Sequence, residues 1–134
     1  MEPAKVVVRY ANGSLIKGYT MDFFPNKPLF HVQPVEIGRM DRGVDVLVSQ
    51  LKAVFFVKDF MGNASHNDQK HFADGQQVSG RKAEVIFSDG EVMVGSTVGY
   101  DHMRPGFFFT PADSAANNLR LYAVSSAVKK FRFL

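Results

Sequence analysis

The residues best suited to chemistry in this chain are its four histidines, His31, His66, His71 and His102. Imidazole binds metals and moves protons near neutral pH. Their spacing does not serve either task. His66 and His71 are five apart, which does not bring them onto one helical face. Zinc needs three or four converging ligands, and with no cysteine in the chain no such set is visible. Asp101-His102 is the one adjacent acid–imidazole pair, and it reads as a solvated loop. No phosphate-cradling glycine loop, dinucleotide fingerprint or nucleophile elbow occurs. We therefore expect no catalytic residues, no metal and no cofactor, and read the chain as a non-enzyme.

A different pair of motifs carries more weight. Pro25-Asn26-Lys27-Pro28 and His102-Met103-Arg104-Pro105-Gly106 each place a cation directly before a proline. Proline fixes its own φ and restricts its predecessor, so both loops are rigid turns that hold a cation outward. Phe23, Phe24 and Tyr100 lie nearby in sequence. A cation beside an aromatic face is how single-stranded nucleic acid is gripped without base specificity. Lys129, Lys130 and Arg132 add the one basic cluster of the chain. Lys27, Arg104, Lys129, Lys130 and Arg132 are thus the candidate binding residues.

The elements that must position these loops come as two copies. With a shift of 77 residues, positions 5–57 lie over 82–134 without a net gap. Lys5-Val6-Val7-Val8-Arg9-Tyr10 falls on Lys82-Ala83-Glu84-Val85-Ile86-Phe87, and Asn12-Gly13 on Asp89-Gly90. Gly18 falls on Gly95, Lys27-Pro28 on Arg104-Pro105, Pro34 on Pro111, Ser49 on Ser126, Lys52 on Lys129 and Phe56 on Phe133. Chance rarely aligns turn residues and core phase together, so the reading is an internal duplication.

Each copy reads as five short strands. Val6, Val8 and Tyr10 alternate with Lys5, Val7 and Arg9, the period of a strand with one buried face. Asn12-Gly13 and Asp89-Gly90 are hairpin turns. The second strand, Ser14 to Met21, carries Gly18 in its middle, which marks a bend. The third spans Leu29 to Gln33 between Pro28 and Pro34. After a charged loop, Val35 to Gly43, the fourth spans Val44 to Ser49. A single turn at Gln50-Leu51-Lys52 leads into Ala53 to Val57. The second copy repeats this as Leu121 to Ser126, a turn at Ala127-Val128-Lys129, and Lys130 to Leu134.

The expected fold is all-β: a tandem duplication of a small five-strand barrel of Sm-like, SH3-like or Tudor-like layout. Residues 1–57 form the first barrel, 58–81 a polar linker with room for a short helix at Ser65–Phe72, and 82–134 the second barrel. One continuous sandwich shared by both copies is the alternative. A single copy is small for independent stability, so the copies should pack together.

Differences between copies mark where function can reside. With Val6, Val8, Tyr10, Phe30, Val32, Val54 and Phe56 inward, Arg9, Lys17 and His31 point outward. Their counterparts are Ile86, Val94 and Phe108, an apolar set that needs a cover. Conversely, Phe55 becomes Arg132. Ile86, Val94 and Phe108 are therefore the candidate interface, between copies in one chain, between two chains or with another protein.

The stretches from Val6 to Thr20 and Leu51 to Val57, with Asp89-Gly90-Glu91 and Arg104-Pro105-Gly106-Phe107-Phe108 in the second copy, resemble a group of uncharacterised bacterial proteins of deltaproteobacterial type. In these, related segments stand alone or beside regulatory modules. The resemblance covers nearly the whole chain. It implies a two-repeat domain of unknown function and transfers no site residue.

Composition sets the remaining bounds. Of 134 residues 46% are hydrophobic, enough for a core. Sixteen Lys+Arg against thirteen Asp+Glu give only +3, less than a dedicated nucleic-acid binder usually carries. No apolar run is long enough for a membrane helix, and the N-terminus lacks the pattern of a signal peptide. We expect a cytoplasmic binding or regulatory module that engages a protein or a further copy of itself. Binding of single-stranded RNA is the alternative, and no membrane contact is expected.

Overall fold

The computed structural model describes residues 2–35, 43–61, 71–73, 75–113 and 115–134. The short helix considered at Ser65–Phe72 falls mostly outside them. Ten strands are present: β1 (Ala4–Tyr10), β2 (Leu15–Thr20), β3 (Leu29–Pro34), β4 (Val44–Leu47), β5 (Leu51–Val57), β6 (Arg81–Phe87), β7 (Val92–Thr97), β8 (Gly106–Pro111), β9 (Asn118–Val124) and β10 (Val128–Phe133). The protein is all-β, and its helical content among the described residues is two single 3-10 turns, Val48–Gln50 and Ser125–Ala127.

These turns fall two residues earlier than the sequence reading places them. Ser49 and Ser126 lie in the middle of turns instead of ending strands, and β5 and β10 start at Leu51 and Val128. The β-branched Val44 and Val46 do support β4, which ends at Leu47 where Val48 N–H donates to the Pro28 carbonyl at 2.9 Å. Pro34 does not bound β3 but closes it, with Gly18 as its register partner.

All pairings are antiparallel, in the continuous order β10-β6-β7-β8-β9-β5-β1-β2-β3-β4. Within it, β5-β1-β2-β3-β4 and β10-β6-β7-β8-β9 follow the same internal order. The registers correspond as well. Val6 opposes Gly18 as Ala83 opposes Gly95, Val6 opposes Phe56 as Ala83 opposes Phe133, and Leu29 opposes Leu47 as Gly106 opposes Val124. Gly13 and Gly90 both take positive φ in the first hairpin of each set. A Cβ on Gly18 would collide with the Gln33 carbonyl, and one on Gly95 with the Thr110 carbonyl. Those bends therefore require glycine because another backbone passes at close range.

The two sets meet through β5 and β9, which pair from Ala53↔Ala123 to Val57↔Asn118. β5 is buried along its whole length. One face, with Val54 and Phe56, joins Val6, Val8, Phe30, Val32 and Val46 in a first core. The other, with Ala53, Phe55 and Val57, joins Ala83, Val85, Phe87, Phe107 and Phe109 in a second. β9 alternates likewise: Tyr122 and Val124 enter the first core, Leu121 and Ala123 the second. The inward set read from the sequence is correct for Val6, Val8, Phe30, Val32, Val54 and Phe56. Val7 and Phe55, read as outward, are also buried, because the second core covers that face. An ion cluster ties β5 to the β6–β7 turn, with Lys52 buried and its two carboxylates half exposed. Lys52 Nζ lies 2.6 Å from Asp89 Oδ2, contacts Glu91 and stands 4.8 Å from the centre of the Phe87 ring. Its hydrogen bond holds the Asp89 carboxyl below its usual range.

Candidate functional site

The two proline-preceding loops open onto one cleft of about 1120 Å³. Matched hydrogen bonds shape them. Lys27 N–H donates to the Phe24 carbonyl and Arg104 N–H to the Asp101 carbonyl, both at 3.0 Å. Each loop is then tied to the 3-10 turn that follows it in the pairing order. Val48 N–H donates to Pro28 O, and Ser125 N–H to Pro105 O at 2.8 Å. The Ser125 hydroxyl also donates to Arg104 O at 2.7 Å. The backbones beneath Lys27 and Arg104 are therefore fixed while the side chains stay free to meet a ligand. Arg104 is 69% exposed and only loosely paired, 3.9 Å from Asp101. Lys27 Nζ stands over the Phe24 ring at 5.0 Å.

The walls between these cations are mainly apolar. Phe107, Phe108, Tyr122 and Val124 come from β8 and β9, and Val48 and the two prolines from the first set. Gly106 stands where the first set has Leu29. A side chain there would strike the Tyr122 ring, so glycine lets that ring lie against β8. Burial raises the Tyr122 phenol above its usual value, against a smaller opposing pull from Arg104. Hydroxyls of Ser49, Ser126, Thr110 and their neighbours supply polar points. No carboxylate lines the cleft among the described residues.

A smaller hollow of about 180 Å³ adjoins it, sharing Phe107 and Ser125 as lining residues. Lys129 and Lys130 line this hollow with His102, Tyr100 and Phe131. Arg132 stands apart from both: its Nε donates to Glu84 Oε1 at 2.8 Å, which lowers the glutamate. The structure thus brings Lys27 and Arg104 together, sets Lys129 and Lys130 next to them, and leaves Arg132 elsewhere.

The three apolar candidates separate. Phe108 meets the first set, packing edge-on to Phe23 and tilted against Phe56, and it also lines the cleft. Val94 is buried within β7, and Ile86 is half-buried in β6 opposite Val92. The aromatic platforms proposed beside the cations are mostly spent. Phe23 packs on Phe30 and Tyr122, and Tyr100 stacks on Phe131 at 3.6 Å, leaving Phe24 the exposed one. Sequence reasoning missed Tyr122 and the Ser49/Ser126 pair. The serines were visible as an identity between copies, but Tyr122 has Asp45 as its counterpart and gave no signal.

The described residues hold no group of three or more potential metal ligands, and no helix long and apolar enough to cross a membrane. An all-β chain built around one cationic, apolar-walled cleft is the class that these observations define. The chain belongs to a family of unknown function, DUF6982, whose model matches residues 2–134. Neither the curated proteins nor the solved structures contain a match to it.

Proposed function

We propose that this chain is a non-enzymatic binding module, a tandem duplication of a five-strand unit whose cleft receives an apolar segment of a protein partner. The corresponding strand orders and registers of the two sets support the duplication. The observation that carries the binding reading is the cleft itself. Its mainly apolar walls are bordered by two cations on rigid loops and, among the described residues, contain no opposing carboxylate. Clefts of this size and lining hold organic ligands and peptide side chains. The lack of cysteine fits a reducing, cytoplasmic setting.

Single-stranded RNA is the second reading, favoured by Lys27 beside the exposed Phe24 face. It is weaker because, of Phe23, Phe24 and Tyr100, only Phe24 is left exposed, and one ring is a short platform for stacking successive bases. A random 12-residue peptide library displayed on phage, selected on the wild-type protein and counter-selected on Lys27→Glu/Arg104→Glu, tests the leading reading. Enrichment of sequences with an apolar run supports it. No enrichment, together with binding of labelled oligouridine that weakens steeply with salt, would replace it with the RNA reading.

A further inference from the structure

The cleft and the small hollow share Phe107 and Ser125 as lining residues, so the two lie side by side. The cleft contributes apolar walls with Lys27 and Arg104. The hollow contributes Lys129, Lys130 and His102. No acidic side chain lines either part among the described residues. Among the described residues Lys27 and Lys129 have no carboxylate in contact, Arg104 has only the distant Asp101, and Lys130 feels only the charge of Glu84, which Arg132 already holds. Cations gathered on a concave, low-dielectric surface create a positive potential that a complementary ligand must neutralise. The counterparts of Lys129 and Lys130 in the first set are Lys52, held by Asp89 and Glu91, and Ala53, which is buried in the second core. Only the second set keeps both positions cationic and open.

We propose that the partner segment is apolar at one end and acidic at the other, with its apolar residues in the cleft and its carboxylates over Lys129 and Lys130. This rests on the cleft being a peptide site. It adds a polarity: the acidic end runs past Phe107 and Ser125 toward β10. A polyanion would use the same cations but would leave the apolar walls unfilled, which is why a peptide is favoured over a nucleic acid.

The same peptide selection tests this. Enriched sequences should carry two or more Asp or Glu on one side of the apolar run. Synthetic versions with those acids changed to Ser, measured by fluorescence anisotropy, should bind about tenfold more weakly. In Lys129→Glu/Lys130→Glu, the loss on changing acids to Ser should vanish or reverse, because the acidic version is now repelled. These side chains lie on the surface, and a circular-dichroism melt checks that the variant stays folded. Apolar sequences without acids, or an acid-to-Ser loss that persists in Lys129→Glu/Lys130→Glu, would overturn the proposed track while leaving the cleft as a peptide site. If nothing is enriched, both readings fall.

Discussion

His31 shows how a single substitution between matched positions redirects a strand pair. Its counterpart Phe108 is half-buried against the first core, whereas His31 lies on the outer face of β3 with half its side chain exposed. Its Nδ1 lies 2.6 Å from Asp22 Oδ2, and its Nε2 3.1 Å from Asp45 Oδ1 on β4. The hydrogen bond to Asp22 raises the imidazole above its usual value, with further help from the charge of both aspartates. A pKa raised in the folded state means that the folded chain binds the proton more tightly than the unfolded one. The pairing therefore adds its full stability below the unfolded value of about 6.5 and loses it as pH rises through the higher folded value. We expect the melting temperature of the wild type to exceed that of His31→Gln at acidic pH, with the gap closing above neutrality. A gap constant from pH 5.5 to 8.5 in parallel thermal melts would show that the imidazolium adds nothing. Nothing in the chain order signals this pairing, because Asp22 and Asp45 lie on different segments and only the β3–β4 register brings Asp45 opposite His31. Lys27 and Arg104 were legible for the opposite reason: the proline after each is a local signal.

At the scale of elements, β5 decides the architecture. Ala53-Val54-Phe55-Phe56-Val57 is an unbroken apolar run, the pattern of a strand buried on both faces. The alternation of β1 masks that pattern and points Phe55 toward solvent. The corresponding strand β10 does alternate, with Lys130 and Arg132 interleaved with Phe131 and Phe133, and it is largely exposed. The difference has an energetic consequence. Phe55 is 4% exposed and fills the second core from the first set, whereas Phe133 is 39% exposed. Phe55→Ala should cost about 3–5 kcal/mol, the usual loss for a buried phenylalanine, and Phe133→Ala about 1 kcal/mol or less. Urea unfolding followed by circular dichroism measures both. Equal losses would mean that β5 does not bind the two cores together. The bends, by contrast, were fully legible, since glycine is required at Gly18 and Gly95 by the neighbouring carbonyl and only glycine could signal it.

At the scale of the whole molecule, the β5–β9 pairing raises the question of why the order stops at ten strands. β10 and β4 end it, and they correspond to the two strands that join in the middle, β5 and β9. A further chain could in principle add β4 to β10 in the register of that junction. The side chains oppose it. Where the junction buries Val7, Ala53 and Phe55, the outer face of the second set carries Glu84, Lys130 and Arg132, with Glu84 and Arg132 paired. Where β8 and β9 present Phe108 and Tyr122, β3 and β4 present His31 and Asp45. Matching these edges would bring Lys130 against Val46 and Asp45 against Phe131, taking the Lys130 charge out of water without a partner and covering the exposed Asp45 carboxylate with an aromatic ring. Charged edge strands are a common guard against strand-to-strand growth. Installing the junction residues, as Glu84→Val/Lys130→Ala/Arg132→Phe with His31→Phe/Asp45→Tyr, should therefore produce a ladder of discrete oligomers in sedimentation velocity. The ladder should lengthen with concentration, while the wild type adds no such series. A single monomer boundary for the variant at high micromolar concentration would show that something other than these charges ends the sheet.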